Sequence, residues 1–210
     1  MKKLILFIVL CAVTVASNAQ TVKECFKKCP PGIFVSLDSA ACTNICNLLD
    51  KGQYNGYITI FGDSVSMKCY TDNFISLEYS NEKIQLKVID DMLVLARTVG
   101  VEYKESEVTF YDKQWNLKSS WIYGCKNSEM MPDDKITFKD LVVKPDTLSE
   151  EQFERLKLFL DPLLVSADLS EFTNEITLSP YVPMLTDEEK KEISPILKQK
   201  TFKWTNRKFK

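Results

Sequence analysis

The chain has 210 residues, 27 of them basic and 29 acidic, and contains no histidine. Without the side chain that titrates nearest neutrality, it can build no Ser-His-Asp or Cys-His nucleophile, no ordinary catalytic zinc site and no histidine-ligated haem. A net charge of −2 argues equally against general nucleic-acid binding, which needs a net basic face to neutralise phosphates.

Residues 1–19 have the three parts of a secretory signal. Met1-Lys2-Lys3 is a short basic start, and residues 4–15 are an apolar run without a charge. That run is too short to span a bilayer, which takes about 20 residues. Ser17-Asn18-Ala19 supplies small residues at both cleavage-determining positions, so the cut is expected after Ala19, leaving Gln20 first. The rival reading is a lipid anchor on Cys11, against which stand the bulky Leu10 before it and its place midway along the apolar run. Cleavage removes two lysines, so 25 basic residues face 29 acidic ones, a net −4. The remaining 20–210 suffices for one sizeable core or two small ones. No second run of eighteen apolar residues occurs, so no integral membrane segment is expected after cleavage. The expected location is the periplasm, the outer-membrane surface or the extracellular space.

Six cysteines follow the signal: Cys25, Cys29, Cys42, Cys46, Cys69 and Cys125. An even count in an exported chain reads as disulfides, although six cysteines allow fifteen connectivities. Thr21 with Glu24 three residues on is a capping box, and Pro30-Pro31-Gly32 cannot continue the helix that it starts. A second helix is expected from Asp38-Ser39 to Lys51-Gly52. Cys25 and Cys29, and likewise Cys42 and Cys46, are four apart, a spacing that shares one helical face. Two such helices lying antiparallel would pair Cys25 with Cys46 and Cys29 with Cys42. The alternative, a four-thiolate metal site, is disfavoured by the spacing and by an oxidising compartment.

From residue 57 to 123 the apolar period becomes 2, with turn residues every eight to twelve positions. Strands are expected at 57–61, 65–70, 75–80, 84–89, 92–99, 108–111 and 117–123, joined so tightly that only an antiparallel meander fits. One face takes Val65, Met67 and Cys69, then Ile75, Leu77 and Tyr79, then Ile84, Leu86 and Val88. Cys69 and Cys125 both point into a core by phase, either as a third cystine or as two buried thiols. A polar linker, 126–135, precedes a less regular region. Residues 148–160 form a helix capped by Thr147 or Ser149, 175–179 a strand, and Thr186 with Glu189 caps a last helix that Pro195 shortens. Phe202 and Trp204 alternate with Lys203 as in an edge strand.

The fold expected is therefore α+β: a disulfide-stapled helical hairpin (20–52), a central antiparallel β-meander (53–125) and a mixed C-terminal part (126–210) packed on the sheet as one unit. No residue is nominated as catalytic, cofactor-binding or metal-binding. The adjacent carboxylates Asp90-Asp91, Asp133-Asp134 and Glu150-Glu151 suit turns and helix starts better than a glycosidase pair, and Asp133-Asp134 lacks the alternating ligands of a calcium loop. Lys198, Lys200, Lys203, Arg207, Lys208 and Lys210, interleaved with Phe202, Trp204 and Phe209, form a candidate anionic-surface patch. The plain alternative is an edge strand with a solvated end. Asp38-Ser39-Ala40, Asp63-Ser64-Val65 and Asp146-Thr147-Leu148 are similar to the O-glycosylation triplet of the Bacteroidetes, and equally suit turns.

The order of segments resembles a known family. Phe26-Lys27-Lys28-Cys29-Pro30-Pro31 and Asn47-Leu48-Leu49-Asp50 precede Thr71-Asp72-Asn73-Phe74-Ile75-Ser76-Leu77 and Val108-Thr109-Phe110-Tyr111-Asp112-Lys113-Gln114-Trp115. That succession is similar to domain-of-unknown-function family 3256, secreted proteins of the Bacteroidetes, along most of 21–200. The resemblance implies an α+β fold in a Gram-negative envelope and brings no catalytic residues. The function expected is non-enzymatic binding of a protein or envelope polymer, or a structural role. Two alternatives stand beside it: a histidine-free carboxylate hydrolase of polysaccharide or peptidoglycan, and a protease inhibitor presenting residues 30–37.

Overall fold

The computed structural model describes residues 20–122 and 138–210. The signal segment with Cys11, the linker with Asp133-Asp134, and Cys125 lie outside the described residues.

Helix α1, Val22–Lys27, opens with the capping box read from its sequence: Thr21 accepts from the Glu24 amide, and Glu24 reaches back to the Thr21 amide. Helix α2, Ser39–Leu49, is capped by Asp38, which accepts from the Ala41 amide at 2.7 Å. An ion pair between Lys23 and Asp50 ties the start of α1 to the end of α2. At the other end, the Ser39 hydroxyl donates to the Cys29 carbonyl at 2.5 Å.

The meander forms as expected. Strands β1 (Asn55–Ile58), β2 (Ser64–Tyr70), β3 (Phe74–Tyr79), β4 (Glu82–Ile89), β5 (Met92–Val99), β6 (Glu105–Asp112) and β7 (Leu117–Ile122) pair antiparallel in sequence order. Helix α1 and helix α2 cover one face, burying Phe26, Phe34, Leu37, Cys42 and Ile45 with Ile75, Leu77, Ile84, Leu86 and Leu93. A second, four-stranded sheet covers the other face. Its strands β8 (Leu164–Leu169), β9 (Glu175–Tyr181), β10 (Lys200–Thr205) and β11 (Lys208–Phe209) stand in the order β11-β10-β9-β8. Val165, Ala167, Ile176, Leu178 and Phe202 pack there against Phe74, Val94, Ala96 and Val108. The short helix α3 (Phe138–Leu141) adds Leu141 to this core. Helices α4 (Glu150–Lys157) and α5 (Asp187–Ile193) close a third, smaller cluster around Leu156, Ile193 and Ile196. No described helix is long and apolar enough to cross a membrane. Strands β3, β4 and β5 are thus buried on both faces, which the alternating pattern of β3 and β4 only half revealed.

Two expectations need correction. Cys69 does not share the face of Val65 and Met67. The β2–β3 register shifts between Met67 and Cys69, a bulge that inserts one residue and reverses the phase beyond it; Cys69 therefore packs toward the second sheet. The hairpin also carries no staple in this structure: Cys25, Cys29, Cys42 and Cys46 are buried free thiols, and Cys69 is free as well. Helix α1 stops at Lys27, so Cys29 lies beyond it and does not share a helical stripe with Cys25.

Candidate functional site

The β1–β2 hairpin is where the surface departs most from ordinary. Strand β1 is an edge of the large sheet, with no strand on its outer side among the described residues. Gly56, at φ +107, accommodates the register shift within it, a conformation easy only for glycine. Residues 59–63 form a loop wound around one side chain. The hydroxyl of the buried Thr59 accepts from the amides of Phe61 and Asp63 at 3.3 and 3.1 Å, while its backbone amide donates to the Asp63 carbonyl at 2.9 Å. This arrangement holds Ile60 and Phe61 outward, each 66% exposed, beside Ile58 at 54%. Below them a shallow, mostly apolar cleft runs to the end of α2, lined by Leu48, Gln53, Tyr54, Tyr57, Val65 and Met67. Solvated edges with apolar side chains are what soluble proteins usually suppress.

The edge of the second sheet shows that suppression. Outer amides of β8 are taken by side chains of the large sheet: Ala167 donates to the Ser106 hydroxyl at 2.8 Å, and Leu169 to the Gln85 amide oxygen at 2.9 Å. Lys83 pairs with Asp168. Next to them Lys87, fully buried, donates to the carbonyls of Ser170, Glu171 and Thr173 at 2.6, 3.2 and 2.8 Å. Burial lowers the pKa of this ammonium, and Glu171 pushes it back up. Nothing in the sequence singles out Gln85, Lys87 and Ser106, because alternation carries no mark of a second sheet laid over them.

Three cations of the C-terminal basic run pair with acids of other elements while staying exposed to solvent. Lys200 pairs with Asp140 at 2.6 Å, Lys203 with Glu175 at 3.3 Å and Arg207 with Asp91 at 2.6 Å. Lys198, Lys208 and Lys210 complete the run on and beside β10 and β11. Its aromatics face inward: Phe202 and Phe209 are buried, and Trp204 stacks on Phe110 while donating to Asp90 at 2.8 Å. Asp90 and Asp91 thus anchor this sheet to the β4–β5 turn.

A polar cleft of about 220 Å³ lies at the β3–β4 end of the large sheet, lined by Glu78, Asn81, Glu82, Lys83, Thr98 and Lys104. Glu78 pairs with Lys68 at 3.1 Å and Glu82 with Arg97, and no aromatic side chain lines the cleft. Glu150 and Glu151 sit in the first turn of α4. Among the described residues no three His, Cys, Asp or Glu side chains converge as a metal group would. The 30–37 loop folds back on itself, burying Phe34, Ser36 and Leu37, with Phe34 against Phe26 and the Trp115 ring edge. Burial pushes the thiols of Cys25 and Cys46 up to about 11. Cys42 is raised further, first by its hydrogen bond with Cys29 and then by burial. None of these is an activated nucleophile, which requires a lowered pKa.

Three comparisons bear on the chain. The model of a protein family of unknown function, DUF3256, matches residues 14–209. No curated protein matches in sequence. A solved structure, described as a domain of an uncharacterized protein from Porphyromonas gingivalis W83, superposes with a TM-score of 0.67 at 17% identity, covering 90% of this chain and 98% of that one. At that identity the likeness shows the shared fold alone.

Proposed function

Since the chain belongs to the DUF3256 family, whose function is unknown, we propose from its own surface that it is an exported, non-catalytic protein that binds a macromolecular partner through the β1–β2 hairpin. The carrying observation is the outward-held Ile60 and Phe61 at an open sheet edge, in a molecule whose β8 edge is closed by side chains. An extended polypeptide segment suits that edge best. It can add main-chain hydrogen bonds beside β1 while its side chains meet Ile58, Ile60 and Phe61. The polar cleft is a weaker candidate, since a hydrolase needs two carboxylates free to face its substrate and both of those present are ion-paired. Export rests on the three-part signal of residues 1–19, and an oxidising compartment would bring disulfide chemistry to the hairpin thiols.

A photo-crosslinking residue placed at Phe61, compared with one at the distant, exposed Lys191, tests the reading in the native host. A protein adduct is expected from position 61 alone, lost when Ile58→Asp and Ile60→Asp are combined. No adduct at 61, or the same adduct from 191, would overturn it.

A further inference from the structure

We propose that the helical hairpin carries one cystine, Cys29–Cys42, and that Cys25 and Cys46 remain separate thiols. The Ser39 hydroxyl, bonded to the Cys29 carbonyl at 2.5 Å, sets the end of the α1 segment against one face of α2. Cys42 stands on that same face, three residues after Ser39. Both thiols are fully buried there, and Cys29 is the first cause of the raised pKa of Cys42. Cys25 stands within α1, whose backbone is held to the sheet at that point: the Cys25 carbonyl accepts the Trp115 indole N–H at 2.9 Å.

The redox step rests on the exported location proposed above and takes a protein or small-molecule disulfide as oxidant. One of the two thiols, as thiolate, attacks the donor disulfide and expels a donor thiol, forming a mixed disulfide. The second then attacks the sulfur of the first, closing the cystine and releasing the other donor thiol. Two electrons pass to the donor, and both protons end on its thiols. Because both sulfurs are buried in the finished fold, exchange occurs while the hairpin is open, and the closed bond is shielded from reductant afterwards. The cystine closes the loop that carries Phe34 and Leu37 into the core, holding α2 in place beneath the β1–β2 hairpin.

Trypsin separates the alternatives, since Cys25 falls in peptide 24–27 whereas Cys29, Cys42 and Cys46 share peptide 29–51. The full chain is isolated from its host and, separately, refolded in a glutathione buffer. Each sample is then alkylated unfolded without reduction. The expected result is peptide 29–51 lighter by two hydrogens, its fragments placing the bond at Cys29 and Cys42, with Cys46 and peptide 24–27 alkylated. Full alkylation in both samples, a bond to Cys46, or peptide 24–27 linked to 29–51 overturns the proposal. The bond in glutathione but not in the host supports the pairing and overturns the exported location instead. Reductant should lower the melting temperature of the oxidised wild type by roughly 6–12 °C and leave the Cys29→Ser/Cys42→Ser variant unchanged.

Discussion

Replacing Lys87 by methionine keeps the stem of a buried side chain and removes its ammonium. Three carbonyls, at 2.6, 3.2 and 2.8 Å from that nitrogen, then lose their donor. Hydrogen bonds to a charged group contribute about 1.5–3 kcal/mol each, so the clamp gains roughly 4–9 kcal/mol before its cost is counted. Burying the ammonium costs several kcal/mol, and the Phe74 ring at 5.7 Å recovers a part of that. In the variant the desolvation cost disappears, but the carbonyls must turn back to water. They can do so only by opening the loop between β8 and β9, whose Phe172 is already 88% exposed. The net loss is about 3 kcal/mol, which for a chain of this size lowers the melting temperature by roughly 6–12 °C. Thermal unfolding monitored by circular dichroism measures it, and amide exchange should localise the loss of protection to residues 170–174. A Lys87→Met chain as stable as the wild type would refute the reasoning. It would mean that desolvation cancels the clamp, so that the lysine fixes the loop's shape without stabilising the fold.

Other outcomes follow from the same geometry. Trp115→Phe removes the indole donor from the Cys25 carbonyl, which keeps the Lys28 amide, and should cost about 1 kcal/mol, read as a melting temperature lower by roughly 2–4 °C; an unchanged value contradicts the anchoring of α1. Asp112 is held well below the ordinary carboxylate range, first by the Asn116 side chain and then by Lys118. A folded-state pKa below the unfolded one means stability fully present above about pH 4 and lost as pH falls. The melting-temperature advantage of wild type over Asp112→Asn should therefore shrink below pH 4, and a pH-independent difference counts against it. Native-state alkylation of Cys25 and Cys46 at pH 8 should be slow, since thiols pushed up to about 11 hold on the order of a hundredth of the thiolate of a free cysteine; labelling at the free-thiol rate opposes this. Mass spectrometry of the protein from its host should find Gln20 first, and an intact Met1 or a lipid on Cys11 would rule out the cleaved signal.

What the chain encodes locally, it encodes legibly. The capping boxes at Thr21 and Glu24 and at Thr186 and Glu189 form where their spacing put them, and Ser149 with Gln152 caps α4, because each acts within a single helical turn. The seven strands of the meander likewise follow from period-2 runs broken by turn residues, where short connections leave antiparallel pairing as the one solution.

The candidate site was harder to read. Residues 57–61 looked like continuous strand, yet β1 ends at Ile58 and the Thr59 hydroxyl winds the rest into a loop that turns Ile60 and Phe61 to solvent. A hydroxyl that bonds two amides further on is a choice between local partners, and apolar periodicity does not register it. The charges and aromatics of the basic tail are plain in the chain, but Asp90, Asp91, Asp140 and Glu175 that meet them come from elsewhere in the fold.

The cysteines divide along the same line. Their number and order belong to the sequence, and so does the proline pair that stops α1 before Cys29. Which sulfur meets which depends on how a helix six residues long is set against α2 by Ser39, Lys23 and Trp115, contacts that span from 10 to 90 positions along the chain. Cys69 repeats the lesson with a single bulge. One inserted residue reverses the face of every side chain beyond it, and only the pairing of β2 with β3 decides where that residue goes.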